Sequence, residues 1–303
     1  MPLTAARQPR QLLALAALAA TMLFWAGNLI VGRAMRDEIP AFMLAFVRWA
    51  IAFVIILPFA VRHIVADRQK LIAGWKSVLF LGVVGVGSFN ASLYYGLHFT
   101  TATNASLLEA AIPAFVLLFN LMIFGDRASP RQMAGVVISA LGVAVIICRG
   151  HLQTLLGLDF GIGDMLIMGA VIAWAIYTSM LRLKPACHPL SFLAVTFGLA
   201  ALTMAPFAAT EMDAIRAMNW DLGVIGAVLY VGIIPSILAY ALFNFAVEEV
   251  GAFRAGQANN LLPLFGAFLA ALLLNEPVRL YHGVGIILIV AGIALGWMER
   301  RSA

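Results

Sequence analysis

The sequence predicts an all-α integral membrane protein: ten transmembrane helices in two inverted five-helix repeats, with the N- and C-termini cytoplasmic. Three observations predict it. Of the 303 residues, 63% are hydrophobic and 11% charged, with a mean hydropathy of +1.00, whereas a soluble domain is about 25% charged. The charges punctuate apolar runs close to the ~20 residues that cross ~30 Å of hydrocarbon at about 1.5 Å per residue. The chain also resembles itself at an offset of 149 to 150 residues.

A water-soluble globule is thereby excluded. The net charge of +5 and pI of 9.6 come from arginines and lysines scattered between apolar runs. They form no stripe for a phosphate backbone to follow, so no nucleic-acid partner is expected.

The first run, Gln11–Gly32, follows Arg7 and Arg10 and predicts a helix over 12–34. At 22 residues it exceeds the ~7–15-residue apolar core of a signal peptide, so it is expected to be retained. The second helix, 40–61, has Pro40 at its start and Pro58 near its end and is interrupted by Arg48. The charge-free stretch Ser77–Leu108 is too long for one helix, and its polar segment His98–Asn104 divides it into helices over 77–98 and 103–124. The remaining charge-free stretches predict helices over 131–149, 163–182, 189–209, 222–245, 252–274 and 281–299. The connections are short, the longest joining the second and third helices, and no extramembrane domain is expected.

With the N-terminus inside, thirteen Lys and Arg fall in inside segments and five outside, Arg48 alone lying within a span. Cytoplasmic loops carry the basic excess, so both termini should be cytoplasmic. This topology puts Cys148 and Cys187 on opposite faces, unable to form a disulfide. No CxxC or histidine-rich cluster suggests a metal, and no cofactor is expected.

An offset of 150 aligns Pro113 with Pro263, Phe115 with Phe265, Asp126 with Glu276, Gly135 with Gly285 and Gly142 with Gly292. An offset of 149 aligns Trp25-Ala26 with Trp174-Ala175. The predicted units are 1–150 and 151–303. Each carries an odd number of spans, so the second enters the membrane in the opposite sense. Such inverted repeats are the architecture of secondary transporters working by alternating access.

Five groups of residues in the first half carry a family resemblance: Phe24-Trp25-Ala26-Gly27-Asn28, Phe46-Val47-Arg48-Trp49, Pro113, Phe124-Gly125-Asp126-Arg127, and Gly135 with Gly142. The second half repeats them as Gly163-Asp164, Ala173-Trp174-Ala175, Pro263, Leu274-Asn275-Glu276-Pro277, Gly285 and Gly292. In these the chain resembles the drug/metabolite transporter superfamily, specifically its ten-helix EamA-type branch, over essentially its whole length. Within the branch it is most similar to bacterial aromatic amino acid exporters of the YddG type. The resemblance implies a basket of two inverted bundles around a central cavity, lined mainly by spans 1, 3, 4, 6, 8 and 9, that exports small metabolites.

Candidate substrate-binding residues follow from polarity within the spans. Glu109 is the only carboxylate well inside one, ~9 Å past the start of the fourth helix. Buried charge is costly and usually faces a cavity or a partner. Glu109 is placed to attract an ammonium group or carry a proton; the alternative is a structural bond near the outer surface. Arg48 is expected to be structural and satisfied by partners within the bundle, because the second helix is peripheral in the related fold; the alternative is binding of a substrate carboxylate.

The third helix is the most polar, and Asn90, Tyr94 and His98 share a face by i, i+4 spacing. The eighth answers with Tyr240 and Asn244 at the 150 offset. Two stripes of amide and phenol suit a neutral zwitterion rather than a polyanion; the alternative is interhelical polar packing. Trp25 and Trp174, with Asn28 and Tyr177 one turn on, are expected as a gate or cavity wall, the alternative being interfacial belt residues. Gln257 precedes Pro263 as Glu109 precedes Pro113, and the two prolines are expected hinges.

Gly161-Ile-Gly-Asp164 matches the GxGD string of intramembrane aspartyl proteases, but no second intramembrane aspartate faces it. It is expected to start the sixth helix. No Walker, HExxH or GxSxG motif is present, so the drive must be a gradient. The expected function is export of small metabolites, foremost amino acids including aromatic ones, across the bacterial inner membrane. The alternatives are transport of other metabolites or drugs, or an intramembrane enzyme centred on Glu109, Arg48 and His98. The expected partners are the small-molecule substrate and the lipid bilayer, with no oligomer required.

Overall fold

The computed structural model describes residues 3–298 apart from 36, 158, 160 and 275–278. Arg36, Arg300, Arg301, the side chains of Arg7 and Arg33, and the Asn275-Glu276-Pro277 motif lie outside the described part. Every regular element among the described residues is helical, and nine helices are long and apolar enough to cross a bilayer.

The chain opens with α1 (Leu3–Ala34) and α2 (Ala41–Ala73). α2 does not stop near residue 61, where charge first breaks the apolar run. It continues through what was expected to be the longest connection. Asp67 locks this tail, accepting hydrogen bonds from His188 N (2.7 Å), Ser191 Oγ (2.9 Å) and Lys70 Nζ (3.0 Å). Next come α3 (Trp75–Phe80), a π-helical segment over Leu81–Ser88, and α4 (Phe89–Gly96). α5 (Ala102–Glu109) starts where Thr101 Oγ1 accepts from Asn104 N, so the polar segment 98–104 does contain the turn. α6 (Ile112–Phe124) ends at Gly125, whose φ of +74° suits a residue without Cβ. A Ser129/Gln132 capping box opens α7 (Pro130–Ile147), and α8 (Leu152–Leu156) is a short surface turn.

Asp164 accepts from Gly161 N at 2.7 Å and from Thr100 Oγ1 at 2.6 Å, so the GxGD string starts α9 (Ile162–Met180). α10 (Pro189–Ala209), α11 (Met212–Ala217) and α12 (Leu222–Gly232) follow. A second π-helical segment, Ile233–Leu238, leads into α13 (Ala239–Val250). The stretch expected as the ninth span is helical in three pieces: α14 (Ala252–Ala258), a 3-10 turn over Asn259–Leu261, and α15 (Leu262–Leu274). It is not among the nine long helices. α16 (Leu280–Trp297) closes the described chain.

The helices pair as α2 with α10, α7 with α16, α1 with α13 and α4 with α9. The core is aromatic, built on the buried Trp49, Trp174, Tyr177, Phe197, Tyr240 and Phe243. Large apolar side chains such as Phe59, Met122, Leu202 and Leu272 are exposed, as contact with hydrocarbon requires. Small-residue packing joins α7 to α16. A Cβ on Gly135 would lie 2.5 Å from Gly292 O, and one on Gly142 would lie 2.7 Å from Gly285 O. Both cysteines are free.

Candidate functional site

Proline shapes the centre. Pro113 has no N–H to bond the carbonyl of Glu109, and the helix parts at residues 110–111, between α5 and α6. Pro263 does the same to Asn259, which opens the 3-10 turn between α14 and α15. Glu109 and Asn259 therefore occupy matching positions, each at a helix break. Both line one central pocket, together with Trp25, Asn28, Arg48, Phe89, Asn90, Trp174 and Tyr240. Its volume in this conformation is about 30 Å³.

Aromatic rings form the walls. Trp25 and Trp174 meet edge to face at 5.1 Å, and each contacts Tyr240 at 5.7 Å. Phe243 lies 5.2 Å from Trp25 and 5.1 Å from Trp174, while Phe89 lies 5.2 Å from Trp174. Trp25 Nε1 donates to Pro235 O at 3.0 Å. The paired tryptophans thus sit inside the bundle and not in an interfacial belt.

Arg48 was expected to pair within the bundle from a peripheral helix; it is 1% exposed and also lines the pocket. α2 packs on α4, α10 and α12, and the long arginine side chain reaches inward from there. Its Nε donates to Ser236 Oγ (2.7 Å), Nη1 to Asn90 Oδ1 (2.7 Å) and Tyr94 OH (3.1 Å), and Nη2 to Pro235 O (3.1 Å). Ser236 and Pro235 belong to the second π segment, a kind of helix defect that frequently marks functional positions. Sequence reasoning missed them. The available signal was Ser88, which at an offset of 148 falls on Ser236; each hydroxyl donates to the carbonyl five residues earlier at 2.7 Å.

The polar stripes are only partly in the site. Tyr94 OH donates to Asn28 Oδ1 at 3.2 Å, and Tyr177 OH to Asn244 Oδ1 at 2.9 Å. The same bond thus recurs with amide and phenol exchanged between the two halves. Tyr177 and Asn244 are buried but do not line the pocket. The expected Asn90–Tyr94–His98 stripe ends at Tyr94. α4 stops at Gly96, so His98 lies past the last helical residue, where i, i+4 spacing no longer holds; its Nδ1 is 3.1 Å from Tyr94 O. Gln257 also turns away, its Nε2 donating to Gly292 O at 3.0 Å to brace α16.

A second, wider cavity of about 760 Å³ opens at the end of the bundle where Asp126, Arg127, Arg182, Glu248, Arg254 and Trp297 gather. The Arg182–Asp126 pair (2.7 Å) stands in its rim, and Lys184 pairs with Glu248 nearby. By the distribution of basic residues this end is expected to face the cytoplasm.

Restoring the missing hydrogen bond tests the hinge. Pro113→Ala is expected to leave the detergent-solubilised protein folded and monodisperse while slowing turnover in proteoliposomes several-fold. Unchanged turnover would show that the break is merely tolerated.

Compared with known proteins, residues 12–148 and 161–298 each match the model of the EamA-like transporter family. An uncharacterized transporter of Archaeoglobus fulgidus is 31% identical over 94% of this chain and 97% of its own. The uncharacterized transporter YetK of Bacillus subtilis is 26% identical over 97% of this chain and 89% of its own. One crystal structure matches 93% of this chain and 95% of its own with a TM-score of 0.69 at 18% identity, a likeness of fold.

Proposed function

The chain belongs to the EamA-like transporter family, a family of multi-pass membrane transporters, and from that premise we propose that it exports amino acids, aromatic ones included, across the bacterial inner membrane by alternating access. In this reading ten helices form two inverted five-helix repeats, 1–150 and 151–303, with both termini cytoplasmic, in the manner of the YddG-type exporters.

The observation that carries the reading is the pairing of residues around the central pocket. Trp25 with Trp174, Asn90 with Tyr240, Glu109 with Asn259 and Ile112 with Leu262 all line it, each pair 149 or 150 residues apart. A site built from equivalent positions of two inverted halves can be exposed to either side when the halves exchange conformations. Its chemistry supports an amphipathic cargo: aromatic faces for an apolar side chain, with amides, a phenol and one carboxylate for polar ends. The wide cavity at the expected cytoplasmic end supplies an entry route. Pro113 and Pro263 act as hinges that re-aim Glu109 and Asn259.

The enzyme alternative required Glu109, Arg48 and His98 to converge, and His98 stays outside the pocket. The test is counterflow of labelled phenylalanine, tryptophan and leucine into proteoliposomes, with and without a pH gradient. Uptake of the aromatic pair is expected. Uptake only under a gradient would make the transport proton-coupled, and no uptake of any of the three would sink the amino acid reading.

A further inference from the structure

The hydrogen-bonding groups of the central pocket do not balance. Of the five N–H groups of a guanidinium, Arg48 uses four, and all four acceptors are uncharged: Ser236 Oγ, Asn90 Oδ1, Tyr94 OH and Pro235 O. No Asp or Glu among the described residues forms an ion pair with it. Two more donors lining the pocket, Asn90 Nδ2 and Trp174 Nε1, are buried with no well-formed hydrogen bond among the described residues. The pocket therefore has surplus donors gathered around a cation. It also has an unmatched acceptor: Glu109 is 8% exposed, lines the same pocket, and bonds no other described residue.

A buried ion without a partner is strongly unfavourable. Here a guanidinium and a carboxyl group occur on different helices, α2 and α5, and do not pair with each other. A cargo bearing a carboxylate at one end and an ammonium a few ångströms away would complete both. Resting on the amino acid reading above, we propose that Arg48, with Asn90 and Trp174, receives the α-carboxylate of the cargo and Glu109 its α-ammonium group. The pocket thereby selects free α-amino acids and rejects amines and carboxylic acids that carry the same side chain.

The geometry adds a closing motion. At about 30 Å³ the pocket has room for little more than a water, so the walls part to admit a cargo. Glu109 sits at the Pro113 break and is the wall free to move. Arg48, held by α4 and by the second π segment, is the fixed one.

The test uses the wild-type protein first. In proteoliposomes performing labelled-phenylalanine counterflow, unlabelled phenylalanine is compared as competitor with phenylalaninamide, which lacks the carboxylate, and 3-phenylpropanoate, which lacks the ammonium. Each analogue is expected to compete about 10- to 100-fold more weakly, the weight of one charge-assisted recognition. Arg48→Gln should then lose the discrimination against the amide and keep that against 3-phenylpropanoate, with Glu109→Gln showing the opposite pattern. A purely structural arginine would not move that ratio. Equal competition by either analogue in the wild type would overturn the inference and leave amino acid transport standing. Absence of counterflow for every amino acid would overturn that reading and the inference with it.

Discussion

Gly292→Val is expected to destabilise the protein by at least about 3 kcal/mol, the upper end of what overpacking costs when side chains can yield. Here they cannot yield. A Cβ at Gly292 would lie 2.4 Å from Ser139 N and 2.6 Å from Gly135 O, both backbone atoms, so α7 and α16 would have to separate. Separation would also strain the α14 and 3-10 segment that bonds both helices, through Gln257 Nε2 to Gly292 O and Asn260 Nδ2 to Ser139 Oγ. The control is Gly283→Val on the same helix, where an added Cβ has nothing within 4 Å. Size-exclusion profiles and thermal midpoints in detergent would decide: the control should match wild type, while Gly292→Val should aggregate or melt far lower. A monodisperse Gly292→Val protein with an unshifted midpoint would remove the crossing from the account of stability.

The second large effect is expected at Trp174. It is 2% exposed and packs against Trp25, Phe89, Tyr177, Tyr240 and Phe243 at centroid distances of 5.0 to 5.7 Å. Its Nε1 has no acceptor among the described residues, so truncation removes packing and none of the hydrogen bonds seen there. Trp174→Ala should cost about 3–5 kcal/mol, the usual range for deleting a buried large aromatic, and should abolish counterflow of aromatic cargo. Trp174→Phe keeps a ring against most of these neighbours and should recover most of the midpoint. Recovery of stability without recovery of transport would point to the indole N–H as a cargo contact. Full stability in Trp174→Ala would mean that the neighbouring rings collapse into the gap.

Where the sequence was informative, the reason is periodicity and repetition. Charge-free length located the long helices, since the bilayer admits little else. The offsets of 149 and 150 residues singled out Trp25, Trp174 and Tyr240, and polarity within a span singled out Asn90 and Glu109; the structure brings all five to one pocket. Other features left no such trace. The tail of α2 carries Arg62, Arg68 and Lys70, so hydropathy ended the helix near 61; the bonds of Asp67 to His188 and Ser191, far along the chain, extend it to Ala73. The second helix was expected at the periphery, and how far Arg48 reaches from it into the pocket is set by neighbours in space. His98 looked like a site residue because helical spacing was carried two residues past the end of α4. The π segments shift the hydrogen-bond register without any characteristic composition, one being glycine-rich and the other built around a proline.

The glycine seam between α7 and α16 has a further consequence. Gly135 meets Gly292 and Gly142 meets Gly285, and adding 150 to the first member of each pair gives the second member of the other. The contact is therefore isologous: each side is the same patch, turned about a two-fold axis. A chain holding only one such half would carry a surface complementary to a second copy of itself. Covalent linkage then fixes a pairing that the patch already specifies, and leaves each copy free to diverge elsewhere. The exchanged amide and phenol of Asn28–Tyr94 and Tyr177–Asn244 follow the same relation: the bond recurs while the residues that make it trade places.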